Sequence, residues 1–146
     1  MPIHREHRYF YPIDWQQLSG FIRFVRAKGR CEGCGRPHLQ NVQHLGAGRW
    51  SDGEAGRWRD GRGYLIRQVL SIPHDMAAGL VKVTRVVPAT AHRDYDTADN
   101  TDANLAAFCQ RCHMLHDHPE HRRRRRTTLR ACKAIGDLFS GAHARL

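Results

Sequence analysis

Behind Asp14-Trp15-Gln16-Gln17, which has the Asp-x-x-Gln form of a capping box, the apolar residues Leu18, Phe21, Ile22 and Val25 follow at helical spacing. The pattern predicts a helix that stops at Gly29 and delivers the chain straight to Cys31. Residues 64–70 and 80–87 are rich in β-branched and aliphatic side chains, and Val81 and Val83 alternate with Lys82 and Thr84. Both segments read as strands of a small antiparallel sheet. Pro88 ends the second, after which an extended stretch reaches His92. The segment between His92 and Asn104 carries Asp94, Asp96, Asp99 and Asp102 and reads as a turn-rich loop. Residues 109–117 lead into a short helix, and Pro119 suits the first turn of a further one. That last helix would run over residues 120–139, with Leu129, Cys132, Ile135 and Leu138/Phe139 on one side. A polar tract over residues 46–63 contains Gly-Arg-Trp twice and reads as a surface insertion between strands. Its sharper reading is a DNA-contacting loop, with arginines for phosphate and tryptophans for packing or stacking.

Charge changes the picture more than length does. A chain of 146 residues makes one domain with a modest core, small enough to gain from a staple. Its formal charge of +10 points to a polyanionic partner, most simply nucleic acid, with double-stranded DNA the expected form. The excess is carried by 21 arginines against 3 lysines. Bidentate phosphate binding favours that skew, and a GC-rich genome would produce it too, so the total charge is the safer argument. Five consecutive arginines, Arg122, Arg123, Arg124, Arg125 and Arg126, stand near the start of the last predicted helix. They read as phosphate contacts, with a solvated face as the plainer alternative. No stretch approaches a membrane span, and no apolar run follows Met1-Pro2-Ile3-His4-Arg5, so neither a membrane anchor nor a signal peptide is expected.

Five cysteines fall into Cys31-Glu32-Gly33-Cys34, Cys109-Gln110-Arg111-Cys112 and a lone Cys132, which is not the layout of a secreted disulfide framework. A reducing, cytoplasmic setting is expected. The two pairs keep the same two-residue gap although 74 residues separate Cys34 from Cys109. Two such knuckles make a closed tetrahedral zinc site, structural because four thiolates leave no open position. Such an ion would close a long loop and supply the staple. Unshared thiols and a redox pair are the alternatives.

The segment from Ala89-Thr90-Ala91-His92 through Asn104-Leu105 to Cys109-Gln110-Arg111-Cys112-His113-Met114-Leu115-His116-Asp117 resembles the HNH endonucleases, or ββα-metal nucleases. The matching stretch covers about a fifth of the chain, and the knuckle at Cys31 and Cys34 extends the likeness. The resemblance implies a small α+β fold: a ββα unit around a four-cysteine zinc, flanked by N- and C-terminal helices. On that reading residues 1–146 form one domain, with its core at 28–118 and a basic helix at 119–140. The implied activity is metal-dependent hydrolysis of DNA phosphodiester bonds. His92 resembles the general base that takes a proton from the attacking water, a task suited to neutral histidine. His113 and Asp117, four apart on one helix face, look like ligands of Mg²⁺ or another divalent ion. Asn104 resembles the central asparagine, which either bonds across the loop to hold the base-bearing hairpin or joins the metal shell.

One position departs from the family. Many members carry a metal-binding Asp or His immediately before the base, where this chain has Ala91. Either Asp94 or Asp96 supplies the missing oxygen from the loop, or the site binds metal too weakly to cut. An alternative register would make Asp94 the ligand and put Tyr95 where the base belongs. Among the other histidines, His116 competes with Asp117 as ligand, and His44 is a lesser candidate for lining the site. The rival function is a non-catalytic, zinc-dependent nucleic-acid-binding module on the same scaffold. A zinc-dependent interaction protein without nucleic acid conflicts with the charge.

Overall fold

The computed structural model describes residues 5–53, 57–67 and 80–140. The chain divides into two compact units, Met1–His113 and Met114–Leu146. The architecture is small and mixed α+β, with antiparallel strands, as the sequence predicts.

In the first unit a 3-10 turn over Arg5–Phe10 precedes helix α1 (Trp15–Gly20), which runs on as one π-helical stretch over Phe21–Arg26. The helix lies where the apolar spacing predicts it, with two corrections. Asp14 makes no side-chain capping bond. Phe21 and Val25, expected on the buried face with Ile22, are 49% and 62% exposed, whereas Ile22 is fully buried. The π stretch explains this: the Ala27 amide reaches back to Ile22 O, five residues away. A wider turn rotates residues off the ordinary 3.6-residue stripe. Lys28 and Gly29 then take positive φ and turn the chain into the first knuckle.

Strand β1 (Asn41–His44) sits centrally in a three-stranded antiparallel sheet between β2 (Trp50–Ser51) and β3 (Lys82–Arg85), with Val42 opposite Thr84 and His44 opposite Trp50. The β3 alternation does not translate into burial, since all four of its residues are exposed and Val86, just beyond, is buried. Of the strand expected at 64–70, Leu65 makes only an isolated bridge to Arg59, and residues 68–70 lie outside those described.

Strands β4 (Ala89–His92) and β5 (Leu105–Phe108) form a separate antiparallel pair in which His92 faces Leu105. Ile22, Leu105 and Ala107 make one buried cluster, with Trp15, Leu18 and Ala27 packed on it. Trp50, Val42, Val86 and the cysteines make another. Polar bonds fasten α1 to the pair: Ser19 Oγ lies 2.9 Å from Thr90 Oγ1. From the π stretch, Arg26 donates to the carbonyls of Asp102 and Leu105, both at 2.6 Å, and to Glu32.

The glycine-rich tract is tied to the core at Trp50. Trp50 is 1% exposed, and its backbone exchanges hydrogen bonds with Arg59 in both directions. Arg36 and Arg59 each place a guanidinium 5.6 Å from its ring centre. Burying a tryptophan removes so much apolar surface from water that the surrounding chain becomes part of the core. Gly63 shows how close that packing is: its φ is +94°, and a Cβ there would meet Cys34 O at 2.6 Å.

Helix α2 (Gln110–Ser140) opens in the first unit and constitutes the described part of the second. The two helices expected here, the second starting at Pro119, are one, with Pro119 inside it. Leu129 and Cys132, expected on an apolar face, are exposed, and the side chains from Ile135 onward lie outside the described residues.

Candidate functional site

The knuckles are placed by backbone as well as by sulfur. The Glu32 amide donates to Ala107 O at 2.8 Å while the Glu32 carboxylate accepts from the Ala107 amide at 2.7 Å. This double link pins the first knuckle to β5, one residue short of Phe108 and two short of Cys109. Gly33 permits the final approach: a Cβ there would lie 3.1 Å from Cys112 Sγ and 3.3 Å from Cys112 Cβ.

The ligand atoms of Cys31, Cys34, Cys109 and Cys112 all lie within 4.8 Å of one another, and Cys34 Sγ is 3.6 Å from Cys109 Sγ. A tetrahedral zinc with bonds of about 2.3 Å would have sulfur–sulfur edges of about 3.8 Å, so the four cysteines fit a metal ion such as zinc. No disulfide joins them. The Cys112 thiol beside Cys109, then Cys31 and Cys34, hold the Cys109 thiol far below its ordinary value. Cys112 is pushed far up, because its thiol proton is held by hydrogen bonds to Cys109, Cys31 and Cys34, and burial and the Cys109 charge further oppose a second anion. A divalent ion relieves that opposition by letting all four ionise. Cys132 is exposed and takes no part.

His92 closes β4 and is 7% exposed. Its ring stacks on Trp15 at 5.6 Å, 8° from parallel, with Tyr11 edge-on at 5.6 Å. Nε2 lies 3.1 Å from Asn100 Oδ1. The Asn100 amide nitrogen donates to the carbonyls of Phe10, Thr97 and Ala98, which fixes its oxygen toward the histidine. That acceptor requires a proton on Nε2, so neutral His92 carries its lone pair on Nδ1. Tyr11, Trp15 and Asn100 are the residues that sequence reasoning misses. Asn100 lies in a run of turn formers, with no spacing signal to set it apart.

Asn104 bonds across the loop. Its amide nitrogen donates to Asp94 Oδ1 and to Asp99 O, each at 2.8 Å, and its oxygen accepts from the Asp94 amide at 3.2 Å. The aspartates fold the same loop: Asp94, Asp96 and Asp99 each accept from the amide two residues on. The Asp96 amide and the Asn104 side chain hold the Asp94 carboxyl below the usual carboxylate range.

His113 is half-buried in the first turns of α2, its amide bonded to Cys109 O at 2.9 Å. In the second unit Asp117 pairs with His116 Nδ1 at 3.1 Å, so the two rival ligands are hydrogen-bonded to each other. Among the described residues the cysteines are the only group of three or more metal-type side chains whose ligand atoms converge. His44, the lesser candidate, bonds Thr84 Oγ1 on the β sheet at 2.8 Å.

Along α2 the arginine run is exposed. Glu120 grips Arg123 at 2.7 Å and Arg124 at 2.8 Å, and these two guanidiniums lower its carboxyl to about 2. A shallow concavity of about 410 Å³ is lined by Pro119, Arg122, Arg123, Arg126, Thr127 and Arg130. The four-residue spacing of Arg122, Arg126 and Arg130 stacks them along one face. Reading a consecutive run misses Arg130, which that spacing would have found.

Comparison with protein-family models, with curated proteins and with solved structures returns no match. No helix among the described residues is long and apolar enough to cross a membrane.

Proposed function

We propose that this chain is an HNH-type, metal-dependent DNA endonuclease of the cytoplasm, built on a four-cysteine structural zinc. The observation that supports it most is Asn104, whose side chain spans the loop between His92 and itself with three hydrogen bonds. A strand ending in histidine, a returning strand preceded by that asparagine, and a helix carrying His113 follow in the order the resemblance requires. His92, protonated on Nε2 toward Asn100, presents Nδ1 as the base that takes the proton of an attacking water. His113 and Asp117 would hold Mg²⁺ or a similar ion, with Asp94 or Asp96 supplying the oxygen that Ala91 lacks. When bound, that ion neutralises charge gathering on the phosphate and the departing oxygen. Asp94 suits the added role, because its carboxyl stays ionised and its loop bonds use Oδ1.

Relaxation of supercoiled plasmid by the zinc-loaded chain in Mg²⁺ or Mn²⁺ tests the reading. Asp94→Asn is expected to need more Mg²⁺ for the same cutting rate, with Asp96→Asn as its parallel. Unchanged metal dependence in both would mean that the loop supplies no ligand.

A second reading has its own support in Ala91 and in the lack of a second converging ligand group among the described residues. On that reading the scaffold binds DNA without cutting it, and plasmid would be shifted but never nicked. Both readings expect the basic helix to contact phosphates. Neutralising Arg122–Arg126 should flatten the plot of log affinity against log salt by about 0.9 for each phosphate no longer neutralised, weakening all sequences alike. A slope equal to the parent's would return the run to solvent.

A further inference from the structure

Arg36 is 5% exposed, and among the described residues it has no carboxylate partner. Its Nη2 donates to Gly48 O at 3.1 Å, and Nη1 lies 3.9 Å from both Cys34 Sγ and Cys109 Sγ. The plane rests over Trp50. A buried guanidinium cannot shed its proton, so it must find an anion or bear the cost of desolvation. The groups within its reach that can become anions are the cysteines. Four thiolates around a divalent zinc form a dianion, itself costly to bury without a nearby cation.

We propose that Arg36 is the counter-charge of the metal–thiolate centre, donating toward the Cys34 and Cys109 sulfurs and strengthening their hold on the ion. Through Gly48 O and Trp50 the same side chain ties the glycine-rich tract to that centre. Groups that hydrogen-bond to metal ligands orient them and set their basicity. Arg36 fills that role here whether or not the protein cuts DNA.

The test compares the full chain with Arg36→Met and Arg36→Lys. Methionine keeps an apolar stem over Trp50 without charge, and lysine keeps the charge without the planar fork. Zinc affinity is read by competition with a chromophoric chelator, and the sulfur electronics by the thiolate-to-cobalt charge-transfer band of cobalt-loaded protein. Arg36→Met is expected to lose about 10–100-fold in zinc affinity. Its band should move to lower energy, because the sulfur lone pairs lose a neighbouring cation. Arg36→Lys should recover much of both. A methionine variant that matches the parent in affinity and band position overturns the proposal. If Arg36→Met does not fold even with zinc, Arg36→Lys decides: a folded, zinc-holding lysine variant supports the counter-charge. A lysine variant that fails equally contradicts it, leaving Arg36 a requirement of shape alone.

Discussion

Cys34→Ser and Cys109→Ser should each unfold the first unit, and so should stripping metal from the parent with a strong chelator. Cys31, Cys34 and Cys109 belong to the buried cluster with Val42, Trp50 and Val86, so removing the ion opens the core. Metal binding contributes about 10–16 kcal/mol in zinc-finger peptides. Whole domains are stable by about 5–15 kcal/mol, so this domain should not survive the loss. Elemental analysis should find close to one zinc per chain, and far-UV circular dichroism should collapse with its release. Acidification should make release easier, because protons compete with the ion for four sulfurs and metal affinity falls as pH falls. Cys132→Ala should leave zinc content unchanged, since that thiol is exposed and outside the cluster. A well-folded protein carrying no metal would refute the zinc assignment.

His92→Ala should lower plasmid cutting by about 10²–10⁴-fold, the usual contribution of a positioned general base. The substitution removes more than the base. In the structure the ring packs against both Trp15 and Tyr11, which also touch each other, so alanine also leaves a gap in an aromatic cluster. A thermal melt with zinc analysis must therefore accompany the activity, and the expected outcome is a lowered melting temperature with zinc and DNA binding retained. Asn100→Ala should cost less, because it removes the group that holds the tautomer and leaves the base in place. Its pH–rate profile should move, which a purely structural loss would not produce. His113→Ala should also cut poorly, with partial recovery at high Mn²⁺ if its role is to hold the divalent ion.

Local chemistry made parts of this molecule legible in its sequence. Two-residue cysteine gaps report a shared centre because a knuckle's geometry is set within four residues. The helix around Ile22 and the extended run into His92 are read from apolar spacing and from Pro88. Other features depend on partners far along the chain. The π stretch that exposes Phe21 and Val25 leaves the hydrophobic spacing of the sequence unchanged. Trp50 is buried by Arg36, Arg59 and the packing of its strand, none of which the glycine-rich composition announces. Pro119 signals a helix start, yet α2 passes through it. A proline removes its own amide bond and crowds the carbonyl four residues back, but the surrounding turns can keep the remaining bonds. Asn100 is legible only once the loop is folded, since its meaning lies in the carbonyls that orient it.

The proposed activity depends on one base, and one comparison isolates it. Zinc-loaded parent and His92→Ala, matched for zinc content and for affinity to the same supercoiled plasmid, are incubated with Mg²⁺ and with Mn²⁺. The endonuclease account predicts that the parent converts supercoiled plasmid to nicked or linear forms while His92→Ala leaves it intact. A parent that binds the plasmid yet never nicks it with either ion, or a His92→Ala variant that nicks at the parent's rate, would contradict it.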